Sequence, residues 1–307
     1  MELKKIKIES NITVFCPEIV NNELLEKALY FLKLSDCKND INLIKSKNAK
    51  KRTRHVFRFE VSGKTYFCKK YANNSLFKKI QDLFRNQRAI RAFKLSVFLN
   101  NNNIHTIKPV LAATYKNNFI FEDSIFISEE CRGITIKNRL LNEITKEKKN
   151  ELIENSTNLY ISLINMNIYH RDPNLSNLMI SHNELTLIDL DDIKRIPFYS
   201  FITLFLNLEK FNRILLLSYI RNKKINFTNK EREEIIKKII ASRYKRIDQK
   251  RYLEMLNLFT RFRMKKHFKT PKRIKRYLKG ETIKAIDDNL FNNQKLIFQK
   301  IIRKIII

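Results

Sequence analysis

Glycine is nearly missing from this chain, with three in 307 residues, and proline is scarce at five. So few breakers exclude a flexible linker between independent domains. They also exclude a G-x-G-x-x-G phosphate loop, whose glycines bring backbone amides against phosphate. Cysteine is thin and scattered: Cys16, Cys37, Cys68 and Cys131 form no C-x-x-C pair and no cluster with histidine. Neither a metal cage nor a disulfide framework is expected, which suits a reducing cytoplasm. No apolar run is long enough to span a bilayer. The most hydrophobic stretch, Phe198 to Ile220, is interrupted by Glu209, Lys210 and Arg213 and reads as a buried or interfacial helix. The first residues, Met1 to Glu9, mix charges with isolated apolar side chains, so no secretory leader is expected. No repeat of solenoid length is present.

Acids are also in short supply. There are 31 Asp and Glu against 62 Lys and Arg, a net charge of +31. An AT-rich genome explains abundant Lys, Asn, Ile and Phe, but Asp and Glu codons tolerate A and T as well. The imbalance is therefore physical and implies a polyanionic partner: nucleic acid, a phosphorylated saccharide or an anionic membrane surface. With 43% hydrophobic residues, the chain folds around a core.

The informative segment runs from Ile168 to Ile193, IYHRDPNLSNLMISHNELTLIDLDDI. His170-Arg171-Asp172 stands five residues before Asn177, and Asp189 follows the apolar run Leu185-Thr186-Leu187-Ile188. A kinase-fold phosphotransferase needs this order. One Asp meets the substrate hydroxyl, an Asn five residues on holds a metal, and a second Asp after a short hairpin holds metal and phosphates. Asp172 lies past a helix whose apolar side includes Leu152, Leu159 and Leu163, in a loop where Pro173 stops the helix. Its expected role is to orient the hydroxyl or accept its proton. Asn177 offers an amide oxygen to a magnesium ion. Asp189 is the second expected metal ligand. Asp191, on the same side if the strand continues, is either a further ligand or a stabiliser of the following turn.

Upstream, Ile41 to Ile44 is a short strand, followed by a basic loop from Lys45 to Lys51. Val56 to Val61 alternates with period two, Ser62-Gly63-Lys64 turns, and Thr65 to Lys69 returns as its partner. Lys69 ends that strand where a kinase places the lysine on the α- and β-phosphates. Lys70 points to the opposite face, and alternation alone leaves open which is inward. Residues 76–100 read as helix, Ile104 to Ala112 leads into a second β-region with strands at Phe119 to Phe121 and Ser124 to Ser128, and the chain from Lys146 is mostly helical. The helix segment Asn86 to Lys94 contains no acid to pair with Lys69. The predicted fold is α+β and bilobal, like a protein kinase. Residues 1–130 form a small β-rich lobe, residues 131–307 form a larger helical lobe, and the hinge lies near Glu129 to Gly133.

At these residues the chain resembles the lipopolysaccharide core kinases, the bacterial heptose and Kdo kinases of protein-kinase-like fold. The resemblance rests on Tyr66 to Tyr71, Arg91-Ala92-Phe93, Asn103 to Val110, His170 through Asn177, and Leu187 to Asp192, spanning residues about 55 to 195. It implies ATP and Mg2+, with phosphate transfer to an inner-core sugar at the cytoplasmic face of the inner membrane. The implied partners are the core saccharide and an anionic membrane surface, with no nucleic acid expected. Basic clusters at Arg221 to Lys224, Arg243 to Arg246 and Lys272 to Tyr277 are the expected contact. Two rival readings are a kinase-like enzyme for another small molecule or a protein, and a non-catalytic nucleic-acid binder on a kinase scaffold. The absence of an A-P-E motif argues against a protein acceptor.

Overall fold

The computed structural model describes residues 4–17, 20–35, 37–49, 52–73, 87–117, 120–181, 184–221, 228–244 and 247–267. They form a mixed α/β protein divided into two compact units. The first comprises Met1–Gly133 and Met179–Lys194; the second comprises Ile134–Leu178 and Arg195–Ile307. The hairpin that carries Asp189 thus belongs to the first unit, whereas a single cut at residue 130 leaves it in the second. The reason is local: Leu187 N–H donates to the His105 carbonyl at 2.9 Å, and Ile107 N–H donates back to the Leu187 carbonyl at 3.2 Å.

The first unit is built on a seven-stranded antiparallel sheet, ordered β1-β2-β6-β7-β5-β4-β3. Its strands are β1 (Lys4–Glu9), β2 (Ile12–Cys16), β3 (Leu43–Ala49), β4 (Arg52–Val61), β5 (Lys64–Asn73), β6 (Pro109–Asn117) and β7 (Ile120–Glu129). Basic residues expected in a loop, Lys45 to Lys47, lie within β3. The hairpin between β4 and β5 turns on Ser62 and Gly63, both at positive φ (50° and 72°), the two-residue turn that matches strand twist.

Period two assigns the faces. His55, Phe57, Phe59 and Val61 point to one side of β4, and Arg54, Val56 and Arg58 to the other. Helix α1 (Asn22–Lys33) covers the first side with Leu24, Ala28, Phe31 and Leu32, a single helical stripe. Phe31 stacks on Phe57 with centroids 4.7 Å apart. Helix α2 (Arg88–Asn101) covers the other side, where Phe93 meets Phe126 edge-on at 6.3 Å. The expected helical residues 76–86 lie outside the described residues, while 88–100 are helical.

The second unit contains β8 (Ile134–Thr135), α3 (Ile136–Leu141), α4 (Lys146–Asn165), β9 (Ile168–His170), α5 (Phe201–Arg221), α6 (Asn229–Arg243) and α7 (Gln249–His267). A buried polar lattice holds its long helices in register. Glu209, fully buried, bridges Arg213 and Arg263, each at 2.9 Å. Arg232 donates to Asn212 and, at 2.9 Å, to Asn257. Buried charges of this kind are tolerated only when paired, so these contacts dictate which helix faces meet. The remaining strands are β10 (Leu178–Ser181), β11 (Glu184–Leu187) and β12 (Ile193–Arg195). Among the described residues no helix is long and apolar enough to cross a membrane.

Candidate active site

Strand β5 sorts the two lysines. Lys70 shares the α1 face with His55, and its side chain is 2% exposed. Its ammonium donates to the carbonyls of Phe31 (3.0 Å), Leu32 (2.9 Å) and Leu34 (2.7 Å), and pairs with Asp123 at 2.8 Å. It thereby satisfies the C-terminal carbonyls of α1, where the helix dipole favours a cation. Lys69 points the other way and donates to Asp189 Oδ1 at 3.1 Å.

The same alternation that aims Lys69 also aims Tyr71, two residues on, and Arg54, its partner across the ladder. These two converge on Asp191, whose carboxylate is 1% exposed. Tyr71 Oη donates to Asp191 Oδ1 at 2.5 Å, Arg54 donates to Oδ2, and Arg88 at the start of α2 lies 3.6 Å from Oδ2. Arg88 also sits over the Tyr71 ring at 5.4 Å, a cation–π contact. Burial pushes the Asp191 carboxyl up, but Lys69, Arg88, the Tyr71 hydroxyl and Arg54 outweigh it and hold the pKa at about 2. Burial and the Asp191 charge both raise the Tyr71 hydroxyl well above its ordinary value.

Asp189 and Asp191 are therefore unlike each other. Asp189 is 33% exposed, and of the charged side chains it meets Lys69 closely and Arg54 only at 3.9 Å. Both oxygens of Asp191 are taken by protein donors. The alternation expected to keep the two on one side does not apply, because β11 ends at Leu187. Beyond it the chain turns: Asp191 N–H donates to Asp189 Oδ1 at 3.4 Å and Ile193 N–H to the Leu190 carbonyl at 3.2 Å.

In the second unit, Asp172 and Asn177 form one tight loop. The Asp172 carbonyl accepts from Asn174 N–H at 2.7 Å and from Asn177 Nδ2 at 2.9 Å. Asn177 N–H in turn donates to the Asn174 carbonyl at 2.8 Å, closing a 3-10 turn over Leu175–Asn177. With its amide nitrogen committed, Asn177 keeps Oδ1 as an acceptor, and no protein donor among the described residues takes the Asp172 carboxylate. His170 anchors the start of the loop. It is buried at 2% exposure, its ring is parallel to Tyr160 (2°, 6.1 Å), and Tyr160 stacks on Phe211 at 4.2 Å. From α5, Asn207 Nδ2 donates to the His170 carbonyl at 2.9 Å, and Lys210 donates to that of Arg171.

The expected residues thus fall into two groups, Lys69 with Asp189 and Asp191 in the first unit and Asp172 with Asn177 in the second. Arg54, Tyr71 and Arg88 join the first group without having been anticipated. Tyr71 and Arg54 were accessible from strand register once Lys69 was chosen; nothing in a chain with 62 basic residues singles out Arg88. Gly133 ends the first segment of the first unit, and a Cβ there would collide with the Ile180 carbonyl on β10 in the same unit. Only glycine lets these backbones approach so closely.

Comparison with known proteins decides the lineage. The model of the lipopolysaccharide kinase (Kdo/WaaP) family matches residues 39–239, about two thirds of the chain. The chain belongs to that family. It is a kinase by membership, and sugar phosphorylation in the lipopolysaccharide core is the family's work. No curated protein matches it in sequence. Among solved structures it is similar to WaaP in complex with acyl carrier protein. That likeness has a TM-score of 0.52 at 14% identity, covers 71% of this chain and 87% of the WaaP chain, and is a likeness of fold. The matched family segment contains every residue of both groups described above.

Proposed function

We propose that this kinase transfers the γ-phosphoryl group of ATP to a hydroxyl of heptose or Kdo in the lipopolysaccharide inner core, working as a peripheral enzyme at the cytoplasmic face of the inner membrane. The observation that carries the reading is the Lys69–Asp189 pair at 3.1 Å, joining residues 120 positions apart. Phosphoryl transfer asks for little covalent help from the protein. It needs cations on the phosphates, oxygen ligands for a metal, and a carboxylate at the attacking hydroxyl.

Each requirement has a residue. Lys69 neutralises the nucleotide phosphates. Asp189, a third exposed, and the Oδ1 of Asn177, each within its own unit, are hard oxygen donors of the kind magnesium takes. When bound, that ion supplies charge neutralisation on the phosphates. Asp172 orients the sugar hydroxyl and takes its proton. Asp191 serves on this reading as the buried anchor of Arg54 and Arg88, and the metal role is left to Asp189 and Asn177. The first unit acts as the nucleotide lobe and the second as the acceptor lobe of a bilobal kinase.

The test uses the purified full chain with Mg2+, ATP and dephosphorylated core saccharides ending in heptose or Kdo. Acceptor-dependent ADP release, with one phosphate added to one of the saccharides, is the expected result. ADP release that no core saccharide stimulates would sink the acceptor assignment.

A further inference from the structure

The segment between the hairpin and α5 has an odd surface. Phe198 is 68% exposed and Ile202 is 42% exposed, although the residues between them are well anchored. Tyr199 is buried at 4% and donates its hydroxyl to the Ile168 carbonyl at 2.8 Å. Ile196 N–H donates to the Asn167 carbonyl at 2.9 Å, and Ser200 and Thr203 bond each other at the start of α5. Phe201 packs against Tyr244 at 5.7 Å and Tyr252 at 5.5 Å. The two apolar side chains are therefore displayed by a braced turn.

The sequence around them carries charge of one sign. Residues 193–208 contain no carboxylate, Lys194 and Arg195 are exposed just before Phe198, and the next acid, Glu209, is buried in its ion pairs. Arg243 lies close enough to Tyr199 to act on its hydroxyl, and the next residue, Tyr244, packs on Phe201 in the same turn. An apolar wedge with cations beside it is the two-signal arrangement that holds a protein on an anionic bilayer, where either signal alone binds weakly.

We infer that the Phe198–Ile202 turn inserts into the headgroup region of an anionic lipid bilayer, with Arg195 and Arg243 on the lipid phosphates. This deepens the membrane part of the proposed function and rests on it. The turn is bonded to β9, which leads directly into Asp172, so a docked turn holds the catalytic loop at the surface where a lipid-linked acceptor lies.

The chain contains no tryptophan, so Phe198→Trp gives the full-length protein a single indole reporter. With phosphatidylcholine–phosphatidylglycerol vesicles its emission should shift to the blue and be quenched by brominated acyl chains, with no change on phosphatidylcholine alone. In co-sedimentation, Phe198→Ser with Ile202→Ser should lower anionic-vesicle binding about tenfold or more. Ile41→Ser is the control: Ile41 is 97% exposed but follows Asp40, whose carboxylate accepts from Tyr30 at 2.6 Å. An unshifted and unquenched indole overturns the inference. So does unchanged binding by the double variant, or an equal loss in Ile41→Ser. Vesicle binding needs no acceptor, so these results are independent of the saccharide assay. A double variant that phosphorylates a soluble deacylated core normally, yet fails on vesicle-borne acceptor, supports the inference.

Discussion

Lys69 and Asp189 lie 120 positions apart in the chain and meet through a 3.1 Å hydrogen bond, while Lys70, one residue on, binds the end of a helix on the opposite face of the sheet. Two neighbouring ammonium groups therefore carry separable burdens.

Lys69→Met is expected to lower phosphoryl transfer about a hundredfold or more, the scale of losing one preorganised charge at a transition state. Its urea midpoint should fall less than that of the Lys70 variant. Lys70→Met leaves three helix carbonyls and Asp123 without their cation and should cost about 3 kcal/mol of stability. Parallel kinetics and urea titrations of both variants separate the roles, and reversed phenotypes would overturn the assignment.

Asp172→Asn keeps the backbone carbonyl that accepts from Asn174 and Asn177, so the loop should hold its shape. Transfer is expected to fall by about a thousandfold, within the range of a lost general base, with nucleotide affinity unchanged. Asp189→Ala should do the reverse on binding, weakening magnesium-dependent nucleotide affinity. Calorimetric titration with and without Mg2+ distinguishes them.

Acid should weaken the first unit through Asp191. Its folded carboxyl sits at about 2 against an ordinary 3.8, because Lys69, Arg88, Tyr71 and Arg54 outweigh the effect of burial. A depressed carboxylate contributes stability that is complete above the unfolded value and is lost as the pH falls toward the folded one. The expected loss therefore lies between about pH 4 and pH 2. In Asp191→Asn that part of the acid dependence should flatten, with about 2 kcal/mol already missing at neutral pH from the broken charged hydrogen bonds. Urea midpoints across the acid range measure both, and an identical acid limb in the variant would contradict the anchor role.

Gly133→Ala should fail for a steric reason, since the added methyl meets the Ile180 carbonyl in β10, three residues past Asn177. Lower thermal stability together with reduced activity is the expected result, read by calorimetry and by initial rates. An unaffected variant would mean that the two segments do not approach so closely.

Much of this was legible in the sequence where spacing fixes geometry. The five-residue step from Asp172 to Asn177 is a loop closed by its own hydrogen bonds, and the hairpin at Ser62-Gly63 is set by two residues able to take positive φ. The fold is harder to read where an element is short, as in the first residues of the chain. Ile12, Val14 and Cys16 alternate as an inward strand face, and Leu24, Ala28, Phe31 and Leu32 form a helical stripe; these make a strand and a helix upstream of the first expected strand. Tertiary pairing made the remainder illegible. Lys45 to Lys47 became strand because β4 lay beside them, and the side chain of Asp191 was set by a turn rather than by alternation. Two of the expected basic clusters, at 221–224 and 272–277, fall almost wholly outside the described residues.

The most direct test of the whole account is the mass of the lipopolysaccharide core from cells carrying this protein or its Asp172→Asn form. The core from the variant should be lighter by one phosphate, with fragmentation placing the missing group on a heptose or Kdo. Identical cores would contradict it and send the search to a different acceptor.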